Sequence, residues 1–185
     1  LKVAFARKHD GTTITEADIA SQAALNRKLR RVLDVPVLGE AMSAEEQQHF
    51  WDQGDEGMWC VDPIDGTTNF VHGVPHFAVS VAFMRNGRPE LGVIYNPAMD
   101  EMYYALKGYG AFLNGERLPL KSFAPPIHSA VAGIELKYLP GKLPSRLMSV
   151  APYSSQRNIG SSTLDWCWLA AGRFDLILHG GQRLW

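Results

Sequence analysis

Apolar positions fall into two regimes along the chain. Over residues 16–33 they recur at helical spacing: Leu25, Leu29, Val32 and Leu33 share a face, while Arg27, Lys28, Arg30 and Arg31 lie mostly off it. Thr15-Glu16-Ala17-Asp18 stands before this run as a capping box with Asp in place of the usual Glu or Gln, so a helix is predicted from there to about Leu33. The short β-branched stretch 35–38 predicts a strand leading into Gly39-Glu40, residues 43–48 are polar with helical character, and Gly54 to Gly57 is a turn. From residue 58 the pattern shortens. Residues 58–61 predict a buried strand running into Asp62, and 77–84 alternate as a strand does. Segments 91–95, 102–105 and 111–113 continue the meander, separated by Asn86-Gly87, Asn96-Pro97 and Asn114-Gly115. Together these predict an antiparallel sheet with helices packed on it. Pro125-Pro126 marks a boundary. Beyond it come a strand at 131–136, a short helix near 145–150, a helix from Ser161 or Ser162 to Ala171 ended by Gly172, and a strand at 174–178. The fold class is therefore α+β, with lobes expected at 1–124 and 125–185.

Composition narrows the functional classes. With 185 residues, 46% of them hydrophobic, the chain can bury a sizeable core. A formal net charge of -1 lacks the basic footprint of a nucleic-acid binder. No apolar run reaches the ~18 residues that cross a bilayer, and no stretch near the start has the makeup of a secretory leader. Cys60 and Cys167 sit among tryptophans and lack zinc-site spacing, so two buried, reduced thiols and a cytoplasmic setting are expected. The chain starts at Leu1 and stops at Trp185 directly after a strand-like run, and both ends read as cut.

The chemistry concentrates in Asp62-Pro63-Ile64-Asp65-Gly66-Thr67-Thr68-Asn69. Two carboxylates three residues apart follow a hydrophobic strand, with a proline fixing the backbone between them. Carboxylates at a strand end suit hard divalent cations, which take oxygen ligands. Gly66 lets backbone N–H groups come close to a phosphate, and Thr67 offers a hydroxyl that can orient a water. An isolated D-P-x-D would be read as a proline turn satisfying its own amides; the full string is harder to dismiss in that way. Glu40, at another strand end, is an ordinary loop carboxylate taken alone and a candidate ligand beside this string.

Residues 62–69 resemble the D-P-I-D-G-T-T-N signature of the inositol monophosphatase family, and Phe70-Val71-His72 extends the match. The likeness runs along nearly the whole chain. Lys8 with Thr15-Glu16-Ala17-Asp18 is similar to the family's early Lys and T-x-x-D element, and Gly39-Glu40 to its G-E-E element. Residues 107–115 resemble its K-G-x-G-A-x-x-N-G hairpin, Gly160-Ser161-Ser162 its substrate loop, and Leu184-Trp185 the start of W-D-x-A-A-G. The resemblance implies the layered α/β/α/β/α sandwich of the sugar-phosphatase superfamily, here truncated at both ends. It also implies two or three Mg²⁺ ions (Mn²⁺ as a substitute), lithium sensitivity and a homodimer. By the same resemblance Glu40, Asp62, Asp65 and the Ile64 carbonyl would hold metal, with Glu40 also counted as catalytic. Thr67, paired with Asp18, would orient and help deprotonate the attacking water. The Gly66 and Thr67 amides would bind phosphate, and Asp65, Gly160, Ser161 and His179 would meet the substrate.

Three departures from the family pattern stand out. The Asp of W-D-x-A-A-G would be the residue after Trp185, so weakened metal binding and little turnover are expected of the chain as it stands. Ala41 replaces the second Glu of G-E-E, with a smaller effect expected. His179 stands where inositol-hydrolysing members often carry a Glu, which reads either as a shifted substrate preference or as a solvent-facing strand-end histidine. An N-terminal helix of the family is also missing, and an exposed apolar patch on the sheet is expected in its place. The expected activity is hydrolysis of a small phosphorylated sugar, polyol or nucleotide by in-line attack of a metal-activated water. The alternative is a catalytically weak member that serves as a protein-binding regulatory factor.

Overall fold

The structure, a computed structural model, describes residues 5–7, 13–40, 42–52, 54–121 and 124–181. Lys8, Ala41, Leu184 and Trp185 lie outside the described residues.

Strands β1 (Phe5–Arg7) and β2 (Thr13–Thr15) pair antiparallel and lead into helix α1 (Glu16–Val32). Thr15 caps α1, its hydroxyl accepting from the Asp18 amide while the Asp18 carboxylate accepts from the Thr15 amide: the predicted capping box. Then come β3 (Val37–Gly39), α2 (Ala44–Asp52) and β4 (Met58–Asp65). Helix α3 (Thr67–His72) follows directly, then β5 (Ala78–Arg85), β6 (Arg88–Asn96), β7 (Glu101–Leu106), β8 (Gly110–Leu113) and β9 (Glu116–Arg117). Strands β3 to β9 form one seven-stranded sheet in chain order, in which only β3–β4 is parallel. Asn86 (φ 51°) and Gly87 (φ 66°) both take left-handed geometry, the turn that matches the twist of β5 and β6.

The last third holds β10 (Val131–Glu135), α4 (Leu143–Ser149), β11 (Ser155–Arg157), α5 (Ser162–Ala170) and β12 (Leu176–His179). These strands form a parallel sheet in the order β11-β10-β12.

Period-two alternation decides the layering. One face of the large sheet, with Trp59, Val61, Val81 and Phe83, packs on Leu25 and Leu29 of α1. The other face gives Ala78, Tyr103 and Leu113 to Leu164, Cys167 and Ala171 on and just after α5. Near α2 the same side packs Met58, Cys60, Ala82 and Met84 on Phe50 and Trp51. Helix α5 also touches β12, so it lies between the two sheets. Helix α4 covers the small sheet through Leu143 and Leu147 against Ala132 and Ile134. The order α1, sheet, α5, sheet, α4 is the expected layered α+β architecture. Beyond α1, its face of the large sheet leaves Met102, Tyr104 and Leu106 exposed. Both cysteines are buried, as expected. No helix among the described residues is long and apolar enough to cross a membrane.

Candidate active site

Strand β4 runs past the predicted end at Asp62, through Pro63, to Asp65. Its register with β5 shifts between Asp62 and Asp65, and that irregularity accommodates a proline with no N–H to give. The Asp62 carboxylate accepts from the Ile64 amide at 3.0 Å. Burial pushes its pKa well above the ordinary value of 3.8; Asp65, Glu40 and Asp18 push it further the same way, against the Ile64 bond. The four acids picked from the sequence therefore share one electrostatic neighbourhood. Among the described residues no three acidic, histidine or cysteine side chains converge on a single point.

Asp65 has the opposite surroundings. Its Oδ2 accepts from Ser161 Oγ at 2.6 Å, Thr163 N at 2.8 Å and Thr163 Oγ1 at 2.6 Å. Ser161 occupies the N-cap position of α5, yet its hydroxyl makes no capping bond and turns to Asp65 instead. The first turn of α5 is thus fastened to the signature string rather than to itself.

Gly66 (φ 88°) begins α3 in left-handed geometry. A Cβ there would lie 3.1 Å from both the Gly160 and His76 carbonyl oxygens. The structure therefore adds a second reason for glycine at this position: the turn is pressed between two backbone segments. Asn69 ties the same segments together, its Nδ2 donating to His76 O and Ile159 O at 2.7 Å each. Gly160 (φ 86°) packs against that amide.

The Thr67 hydroxyl donates to the Ile64 carbonyl at 3.0 Å. Asp18 Oδ2 instead accepts from the Thr15 amide and hydroxyl, while Asp18 Oδ1 is buried without a partner. The Thr67–Asp18 pairing is therefore not formed in this structure, because each side chain has a nearer partner within its own turn. His179, at the end of β12, is half-buried with its ring 5.3 Å from that of Tyr138 and its Nδ1 without a partner. Thr163, Asn69, His76 and Asp165 were given no individual role by sequence reasoning. Their contacts join segments up to 98 residues apart, for which the sequence carries no local signal.

The chain matches the inositol monophosphatase family over residues 2–185. It belongs to that family. It is 41% identical over 184 residues to an inositol-1-monophosphatase of Rhizobium meliloti, covering 91% of this chain and 66% of that one. A Nus factor SuhB of Pseudomonas aeruginosa is 34% identical, covering 93% and 65%. Among solved structures, an IMPase of Thermotoga maritima superposes with a TM-score of 0.77 at 31% identity, covering 92% and 64%. The chain thus spans slightly less than two thirds of the length of these relatives.

The side chains fit a hard divalent cation in their chemistry. Asp62, Asp65, Glu40 and Asp18 offer only oxygen donors, Asp62 is half-buried among like charges, and one Asp18 oxygen is orphaned. A cation beside Asp62 would relieve the repulsion among these acids.

Proposed function

We propose that this inositol monophosphatase family chain takes part in Mg²⁺-dependent hydrolysis of a small phosphomonoester, such as a sugar, polyol or nucleotide phosphate. The observation that carries the reading is the half-buried Asp62 carboxylate, pushed up by burial and by Asp65, Glu40 and Asp18 with no cationic side chain opposing them among the described residues. Glu40, Asp62, Asp65 and the Ile64 carbonyl would hold the ions, and Mn²⁺ would be accepted by the same oxygen set. Bound Mg²⁺ would supply an acidified water and neutralise charge on the leaving oxygen.

The remaining work falls to the chain itself. The Gly66 and Thr67 amides, at the open end of α3, would take the phosphate oxygens. Thr67 would orient the attacking water on leaving its bond to Ile64, and Asp18 would accept a proton through its unpartnered Oδ1. Asp65, held by three donors, keeps a fixed direction as a ligand and as a contact for the substrate. Gly160, Ser161 and His179 would border the alcohol side, and His179 beside Tyr138 would favour substrates other than inositol phosphate.

Phosphate release from a panel of phosphomonoesters, with and without Mg²⁺, by the chain extended past Trp185 tests this reading. Release that requires Mg²⁺ and disappears in Asp62→Asn is expected; release unchanged by that substitution would overturn it. A second reading, a regulatory factor that binds a protein partner, is favoured by the likeness to the Nus factor SuhB. Partner capture unchanged by Asp62→Asn, without turnover on any substrate, would decide for it.

A further inference from the structure

Two buried ionisable side chains beside the acidic site have no part in the chemistry above. His76 Nε2 and Asp165 Oδ1 face each other at 4.0 Å, and both atoms are sealed from solvent without a hydrogen-bond partner. We propose that His76 and Asp165 share one proton across the joint between the signature turn and α5, and thereby act as positioning residues for Asp65.

The joint has two sides. On one, Ser161 and Thr163 donate to Asp65. On the other, Asp165 lies on the same first turn of α5, its amide donating to Ser161 O. His76 lies two residues before Ala78, the residue paired with Asp65 between β4 and β5. The Asn69 amide holds the His76 carbonyl in place. A bond from His76 to Asp165 would therefore join the same two segments that Asp65 joins.

Buried polar atoms left unpaired are costly, and an unpaired buried charge more so. One proton between the two groups removes both costs, because the pair is neutral overall whichever atom carries it. Closing 4.0 Å to the ~2.7–2.9 Å of a charge-assisted bond takes a shift of about 1 Å. The charged and titratable groups around the pair are Asp65 on β4, Glu101 on β7 and Glu135 on β10, with Arg173 stacked over Trp168. The acids resist loss of the shared proton. Burial drives the His76 pKa down, and burial together with the Asp65 and Glu135 charges raises that of Asp165 to about 7, which brings two ordinarily distant groups toward each other. The Trp168 ring, 4.9 Å from that of His76, backs the imidazole.

The proposal rests on the reading of Asp65 as an ion ligand only for its metal consequence, and the test separates the two. Nitrogen NMR of His76 reports the proton directly, and Mn²⁺ affinity reports the position of Asp65. In the unsubstituted protein His76 Nε2 is expected to show a strongly hydrogen-bonded, shared-proton signal that moves to that of an ordinary imidazole in Asp165→Asn. Mn²⁺ affinity is expected to fall on the order of 10-fold in Asp165→Asn and in His76→Phe, and no further in the double variant. A His76 signal unaffected by Asp165→Asn would overturn the shared proton, even if the unsubstituted protein bound no Mn²⁺. Losses of affinity that simply add in the double variant would overturn the coupling.

Discussion

Two acidic places in this molecule are built in opposite ways. Glu101, at the start of β7, accepts a paired bond from Arg173 (2.9 and 2.6 Å) and one from the Tyr103 hydroxyl at 2.8 Å. Burial raises its pKa, but these donors and the guanidinium charge more than offset that, and the net shift is downward. Asp62, three strands away in the same sheet, has one backbone donor and three acidic neighbours, and its pKa rises. The chain thus neutralises a buried carboxylate where it serves the fold. Among the described residues no cationic side chain does the same for Asp62, which stands beside a glycine-opened turn.

The comparison breaks first at Asp62. Asp62→Asn should lower Mg²⁺-dependent phosphate release by more than about 100-fold, the upper scale for residues that merely support a ligand. Because the substitution removes a repelled carboxylate, thermal melting without metal should be unchanged or higher. The mirror substitution, Arg173→Leu, should do the reverse. It leaves Glu101 buried without its cation and should lower stability by about 2 kcal/mol, discounted from the fully buried case because Arg173 is 29% exposed. Denaturant unfolding measures this.

The sign of the pH dependence follows from the same pair. Glu101 has a folded-state pKa below its ordinary 4.5, so its contribution is present above 4.5 and is lost as pH falls through the lower folded value. Stabilities of the Arg173→Leu variant and the unsubstituted protein should converge under acid. Saturating Mg²⁺ should raise the melting temperature of the unsubstituted protein and leave that of Asp62→Asn nearly unmoved, with roughly 2.7 kcal/mol of stabilisation at 100 times Kd. The smallest expected effect is at Asn69. Asn69→Ala removes the bonds to the His76 and Ile159 carbonyls and should cost about 1–2 kcal/mol of stability.

Much of this was legible in the sequence, and the exceptions have physical causes. Capping and period gave α1 nearly to the residue, and the Asn-Gly pairs gave the hairpins, because such signals are local. Helix α3 escaped notice: six residues are too few to show a period, and Thr67, Thr68 and Asn69 are weak helix formers. Strand β11, Ser155-Gln156-Arg157, is polar and three residues long. Asp62 and Asp65 were visible as a pair, but their different surroundings were not, because Ser161 and Thr163 reach Asp65 only through the packing of α5 between two sheets.

The central claim is that acids distant along the chain hold a divalent ion in common. A crystal structure with Mn²⁺ and phosphate tests it most directly. Anomalous density bridging Asp62 to Glu40 or Asp65, with phosphate at the Gly66 turn, is the predicted result. Mn²⁺ bound elsewhere, with the Asp62 carboxylate uncoordinated, would contradict it.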